Sequence, residues 1–252
     1  MSGAHRVLQP DELEPAAEGR CALAIMTKAP RAGRVKTRLT PPLTPAESAG
    51  LNACFLRDTA GAIAAAGGCA QGIGCYTPVG EEEIYRDILP PDFFLIAQRE
   101  GNFGERLVGA LADLFSVGFG AVCLVDSDSP TIPATSFAEA AHVLLQPHER
   151  IVLGRSDDGG YYLIGMQRLR REIFQNIDWS TERVLEQTEE RAAAAGLAVH
   201  RLPVGYDVDD RATLRRLCHD LLEPDDSNLA PASQKFLREL LGREGEARIL
   251  AP

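Results

Sequence analysis

The chain has 252 residues, 45% of them hydrophobic and 25% charged, which is enough for one large α/β domain with a sizeable buried core. Its formal net charge of -10 at pH 7 excludes a general binder of nucleic acid or of an anionic membrane surface, because both need a broad basic face. No stretch approaches the roughly 20 apolar residues of a membrane span, and six scattered cysteines without a Cys-x-x-Cys pair or a His cluster read as reduced core residues of a cytoplasmic protein.

Residues 1–20 carry several acids and no apolar stretch, so a flexible N-terminal tail is expected there. The apolar run 21–26 predicts the first strand. Directly behind it, five basic residues, Lys28, Arg31, Arg34, Lys36 and Arg38, crowd into one short segment with no acid among them. A strand that ends in a Gly-containing basic loop can aim backbone N–H groups and cationic side chains at one anionic ligand, whose charge offsets the repulsion within the loop. The plainer alternative is a solvated basic loop. A P-loop is excluded, since Pro30 and Val35 stand where that motif needs glycines, and Gly72-Ile73-Gly74 lacks the third glycine of a dinucleotide fingerprint.

Thr44-Pro45-Ala46-Glu47 has the form of a capping box, and Leu51, Cys54, Phe55, Ala62, Ile63 and Ala66 follow at helical spacing until Gly67-Gly68. Short apolar runs recur at 72–76, 93–97, 121–125, 151–153, 161–166 and 197–202, separated by helical stretches near 104–116, 134–146 and 181–195. Ser180 is placed to cap the last of these and Gly196 to close it; Asp210 can cap a further helix carrying Leu214, Leu217 and Leu221. A polar break at 223–228, an amphipathic piece at about 233–241 and a frayed end complete the chain. Strands alternating with helices predict an α/β fold, a Rossmann-like three-layer sandwich with a mostly parallel central sheet. The expected division is a tail at 1–20, one domain at 21–222 and a helical extension at 223–252.

Ligands of open α/β sheets sit beyond the carboxyl ends of the strands. Asp126-Ser127-Asp128-Ser129-Pro130 follows one apolar run directly, and two carboxylates so spaced can face a hard cation such as Mg²⁺ or Mn²⁺ that bridges a ligand's phosphates. Alternatively, one of the two only caps the helix that begins near Ile132. Tyr206-Asp207-Val208-Asp209-Asp210-Arg211 is the second acidic stretch; Asp209 can complete the cation's shell, while Asp210 is best placed as a cap. Asp157-Asp158-Gly159-Gly160-Tyr161-Tyr162 reads as a hairpin turn, as a close approach to a ligand, or as both. Gly104, Glu105 and Arg106 open a helix whose N-terminus can hold an anion, although Glu105 is as readily a first-turn acid.

Lys28-x-Pro30-x-x-Gly33-x-x-Lys36-Thr37-Arg38-Leu39, Asp126 to Pro130, Asp158 to Gly165, Trp179-Ser180 and Asp207-Val208-Asp209 together resemble the DUF2064 family. That family is glycosyltransferase-like and belongs to the nucleotide-diphospho-sugar transferase (GT-A) superfamily. The basic loop is also similar to the signature loop of nucleotidylyltransferases such as phospholactate and molybdenum-cofactor guanylyltransferases. The resemblance implies a GT-A fold, with Asp128 and Asp209 as metal ligands. It implies nucleotide contacts from Lys28, Gly33, Arg34, Lys36, Thr37, Arg38 and Asp126. Read from the residues themselves, the candidate substrate contacts are Gly104, Glu105, Arg106, Asp158, Gly159, Gly160 and Tyr161. Lys36, Arg38 and Asp158 are the candidate catalytic groups.

The function put first is glycosyl transfer from a nucleotide sugar to a small-molecule acceptor, dependent on Mg²⁺ or Mn²⁺. Nucleotidyl transfer from an NTP to a phosphorylated small molecule is the alternative, and a non-catalytic nucleotide-binding protein the third reading. Neither nucleic acid nor membrane is an expected partner.

Overall fold

The apolar run after Arg20 forms β1 (Cys21–Lys28), the strand on which the rest of the computed structural model is built; residues 4–222 and 229–250 are described. The chain continues through α1 (Pro45–Ala66), β2 (Ala70–Thr77), β3 (Phe94–Ala97), α2 (Phe103–Val117), β4 (Ala121–Val125) and α3 (Ala134–Leu144). After these come β5 (Arg150–Ser156), β6 (Tyr161–Met166), α4 (Val184–Ala194), β7 (Ala198–Gly205), α5 (Arg211–Leu222), α6 (Pro231–Glu244) and α7 (Glu246–Leu250). The seven strands make one sheet in the order β3-β2-β1-β4-β6-β5-β7. Only β6 runs against the others, pairing antiparallel with both β4 and β5.

Side chains alternate across β1. Cys21, Leu23 and Ile25 join Leu56, Ile63, Phe137 and Leu144 from α1 and α3 on one face, while Ala22 and Ala24 join Leu107, Leu111 and Leu114 from α2 on the other. Both faces are thus covered, as β4, buried along its whole length, requires. The predicted three-layer, mostly parallel architecture is the one observed. None of the described helices is long and apolar enough to cross a membrane.

Three expectations need correction. The segment read as a loose tail packs on the sheet: His5 makes ring-nitrogen hydrogen bonds to the carbonyls of Phe93 (3.0 Å) and Tyr85 (3.2 Å). Leu8 N donates to Leu95 O at 2.7 Å, and Leu8 and Ala17 are buried. An edge of the sheet supplies burial that a short polar-looking sequence does not announce. Ser180 caps nothing; α4 starts later, behind Arg183, and residues 178–183 form a loop. The end read as frayed contains α7, whose Ile249 is buried in a third cluster with Leu39, Leu51, Phe55, Leu237 and Leu240. That cluster joins α1, the basic loop and the C-terminal helices. The polar break at 223–228 lies outside the described residues.

The capping box at Thr44 is present, and Glu47 does more than cap. It accepts from Thr44 N at 2.8 Å and from Arg243 and Arg248 at 3.2 Å, so it ties the start of α1 to α6 and α7. Burial pushes its pKa up, but the Arg248 and Thr44 hydrogen bonds outweigh that and carry it from 4.5 to about 2. A carboxylate with a lowered folded pKa contributes stability above its unfolded pKa, and loses it as pH falls through the folded value. Glu47→Gln is therefore expected to cost on the order of 2–3 kcal/mol at pH 7. Urea unfolding should show the gap between wild type and variant narrowing from about pH 4.5 down to about pH 2. Equal stability at pH 7 would remove Glu47 from this role.

Candidate active site

Every candidate segment leaves the sheet at the same edge. β1 ends at Lys28, β4 at Val125 and β7 at Gly205, and the β5–β6 hairpin turns between Ser156 and Tyr161. Ile25 pairs in register with Val125, and Val125 with Leu163, so these ends are level. Such an edge is where open α/β sheets hold ligands.

Lys36 occupies the centre. Its backbone is left-handed, with φ 48° and ψ 39°, a conformation that costs a non-glycine residue about 1–2 kcal/mol. The turn sends the side chain inward over the Phe55 ring, 5.5 Å from its centroid. There Nζ meets Asp128 Oδ1 and Asp209 Oδ1, each at 2.8 Å, and donates to Val208 O at 2.7 Å. An ammonium has three N–H groups, and three acceptors use them all. Only 4% of the side chain is exposed. Burial lowers the Lys36 pKa, and Asp128 and Asp209 more than offset this, leaving it raised. A main-chain bond from Val208 N to Asp128 O at 2.9 Å fixes the two carboxylate loops side by side.

The other aspartates divide their work. Asp126 holds its own turn, accepting from Ser129 Oγ at 2.7 Å and from the Ser129 and Asp128 N–H groups. Burial, then the Asp128 charge, pushes its pKa up to about 8. Asp207 accepts from Ser156 Oγ at 3.2 Å, and burial with the charges of Asp158 and Asp209 pushes it up to about 6. Asp210 caps α5 through a 2.8 Å bond from Thr213 N, as its position predicts. Asp157 pairs with Arg216. Asp158 stays exposed and accepts from Gly160 N at 2.9 Å.

Two compartments open around this cluster. One, of about 260 Å³, is lined by Lys28, Arg34, Lys36, Thr37, Arg38, Asn52 and Ser127. The second, of about 490 Å³, takes in Asp126, Ser156, Asp158, Gly160, Tyr161, Trp179 and Asp207. Arg38, Asp128 and Asp209 line both. Lys28, Arg34 and Arg38 are exposed and make no ion pair among the described residues, whereas Arg31 is held by Glu81 at the periphery. The basic loop therefore presents three uncommitted cations to the first compartment.

Not every candidate residue reaches these hollows. Gly33 lines neither. Gly159, at φ +90°, is used for a close approach to the chain itself: a Cβ there would lie 2.1 Å from Glu182 O. Its carbonyl receives Leu185 N at 2.9 Å, so the hairpin locks onto the first turn of α4. Gly104 is needed by Trp179, whose indole nitrogen would sit 2.7 Å from an added Cβ. Glu105 forms a capping box with Asn102 at the start of α2, and Arg106 lies over the Phe103 ring at 5.9 Å. Gly104 and Glu105 border a third hollow, of about 730 Å³, behind Phe103 and Trp179. Tyr161 borders the second compartment, but its ring packs toward the core on the α2 side and its hydroxyl is buried. Asn52 was not foreseen; its only signal is an amide beside the apolar stripe of Leu51, Cys54 and Phe55.

The family model described as "Uncharacterized protein conserved in bacteria (DUF2064)" matches residues 59–181, which include the Asp126 to Pro130 and Asp158 to Gly165 motifs. A protein of Desulfovibrio desulfuricans G20, provisionally named a nucleotide-diphospho-sugar transferase, is similar in structure with a TM-score of 0.78 and 29% identity, over 90% of this chain and 98% of that one. A cytidylyltransferase of Leptospira borgpetersenii is similar with a TM-score of 0.52 and 12% identity, over 92% and 98% of the two chains. So is a CMP:2-keto-3-deoxy-manno-octonic acid synthetase complexed with CTP, with a TM-score of 0.52 and 13% identity, over 81% and 99%. A search of the curated proteins finds no match. The family model bears out the DUF2064 resemblance over residues 59–181, and the structural similarity bears out the expected fold and the reading of the chain as a transferase.

Proposed function

We propose that this DUF2064-type transferase moves a glycosyl group from a nucleotide sugar to a small acceptor. One observation carries the reading: a cation-lined compartment and a carboxylate-lined one share Arg38, Asp128 and Asp209 as their common wall. Arg34, Lys28 and Arg38 bind the diphosphate in the first. The acceptor lies in the second, where the exposed Asp158 takes the proton of its attacking hydroxyl. A bond forms from the acceptor oxygen to the anomeric carbon, the bond from that carbon to the diphosphate oxygen breaks, and its electron pair stays on the nucleoside diphosphate. Charge grows on that leaving group, facing fixed cations placed to stabilise it.

The donor set suits Mg²⁺ or Mn²⁺ in a restricted sense. Among the described residues no three His, Cys, Asp or Glu side chains are grouped as a closed metal site. Asp128 and Asp209 present oxygens on either side of one point, which Lys36 Nζ takes as a stand-in cation. Magnesium is commonly held by one or two carboxylates together with substrate phosphates. A divalent ion held by these two aspartates and the nucleotide would supply further neutralisation of the leaving diphosphate.

Nucleotidyl transfer is the second reading, favoured by the three unpaired cations of the first compartment, which suit a triphosphate. Incubation with Mg²⁺ and either a panel of nucleotide sugars or NTPs with sugar phosphates separates the two. Release of nucleoside diphosphate from a nucleotide sugar is the expected result. Pyrophosphate formation without nucleotide-sugar turnover would reject glycosyl transfer.

A further inference from the structure

Asn52 lies on α1 with 3% of its surface exposed, between Leu51 and the apolar pair Phe55 and Leu56. Its Oδ1 is sealed from solvent and has no hydrogen-bond partner among the described residues. An unpaired buried acceptor destabilises a fold, and leucine would serve this helix face better. The other end of the carboxamide accounts for the residue. Nδ2 has no partner among the described residues either, but it is not sealed. Through it Asn52 lines the cation-rich compartment with Arg34, Lys36, Arg38 and Asp128. Turning the group over would bury two unpaired N–H donors in place of one acceptor, so the donor end stays in the cleft. Phe55, three residues on and on the same helix face, holds the Lys36 ammonium 5.5 Å from its ring centroid, which places Asn52 beside that cation. Lys28, Arg34 and Arg38, which share the compartment, are donors too. An occupant that satisfies all of them must bring acceptors, and the charged oxygens of a diphosphate are acceptors only.

We infer that Asn52 is a further ligand-binding residue, donating from Nδ2 to a phosphoryl oxygen of the bound diphosphate. The inference rests on the nucleotide reading given above. The site then holds its diphosphate with one neutral, buried donor beside exposed cations, and the two kinds of contact respond differently to salt. Ionic strength screens an exposed guanidinium and leaves a buried amide contact almost untouched.

Calorimetry with the four common ribonucleoside diphosphates and with inorganic pyrophosphate, in Mg²⁺ at low and at high ionic strength, tests this on wild type, Asn52→Leu and Asn52→Ala. Loss of a hydrogen bond to a charged oxygen should raise Kd about 10–100-fold in both variants, for the nucleotide and for pyrophosphate alike. That factor should hold when the salt is raised. Asn52→Leu should also raise Tm by about 2–4 °C, because the sealed acceptor is gone, and Asn52→Ala removes the donor without adding bulk to the compartment. Wild-type affinity in Asn52→Ala, or a factor that falls toward unity in high salt, overturns the inference alone. So does a loss confined to the nucleotides, which would move the contact to ribose or base. A Tm that falls together with the affinity in Asn52→Leu would assign Asn52 to the fold instead. Failure of wild type to bind any of these ligands overturns the nucleotide reading and the inference with it.

Discussion

Lys36→Met is expected to lower kcat/KM by about 10²–10³-fold, the usual loss when a cation that stabilises developing charge is removed, here an ammonium that moves from the aspartates to the diphosphate when a metal takes its place. The same variant should bind Mn²⁺ at least about tenfold more tightly than wild type when no nucleotide is present. Both effects come from one geometry. The ammonium satisfies Asp128 and Asp209, each at 2.8 Å, and so occupies the point a divalent ion would need. Methionine keeps much of the packing over Phe55 but leaves two carboxylates facing each other without a positive charge. Electron paramagnetic resonance of free and bound Mn²⁺ gives the affinity without reference to turnover, and circular dichroism checks the fold. Unchanged Mn²⁺ affinity with unchanged kcat/KM would reduce Lys36 to a structural tie.

Arg38→Ala carries the second large effect, on binding. Arg38 is exposed, has no carboxylate partner among the described residues, and borders both compartments. A charge-assisted hydrogen bond to phosphate contributes about 1.5–3 kcal/mol, so the nucleotide Kd should rise about 10–100-fold. Raising the ionic strength should shrink the difference, because an exposed cation is screened. Arg31→Ala is the internal comparison. Its guanidinium is engaged by Glu81 at the edge of the loop, and its loss should change Kd by less than about twofold. Equal effects of the two substitutions would mean that the loop acts only through its net charge.

How much of this could be read from the residues follows from the range of the interactions. The strands and the hairpin were legible because apolar runs, Gly-Gly and Asp-Gly turns and the Thr44 box are local signals. The edge at which the candidate residues gather followed from strand–helix alternation, since the carboxyl ends of parallel strands all point one way. The bond from Lys36 to Asp209 was not legible, as it joins positions 173 apart through a left-handed turn at a non-glycine residue. Asp126, expected beside the ligand, lines the second compartment and also holds its own turn; sequence spacing alone does not say how two neighbouring carboxylates divide such work. Packing of residues 5–17 and of α7 depended on surfaces that exist only once the sheet and α1 have formed. Gly159 and Gly104 signalled close approach, but the partner in each case is the chain's own 178–183 loop.

A crystal of the protein soaked with Mn²⁺ and a nucleoside diphosphate, measured at a wavelength where manganese scatters anomalously, addresses the main claim most directly. The account predicts an anomalous peak between the Asp128 and Asp209 carboxylates, diphosphate oxygens in reach of Arg38, and Lys36 Nζ withdrawn from the aspartates toward the phosphates. A nucleotide seated away from Arg38, with Lys36 still bonded to both aspartates and no manganese between them, would contradict it.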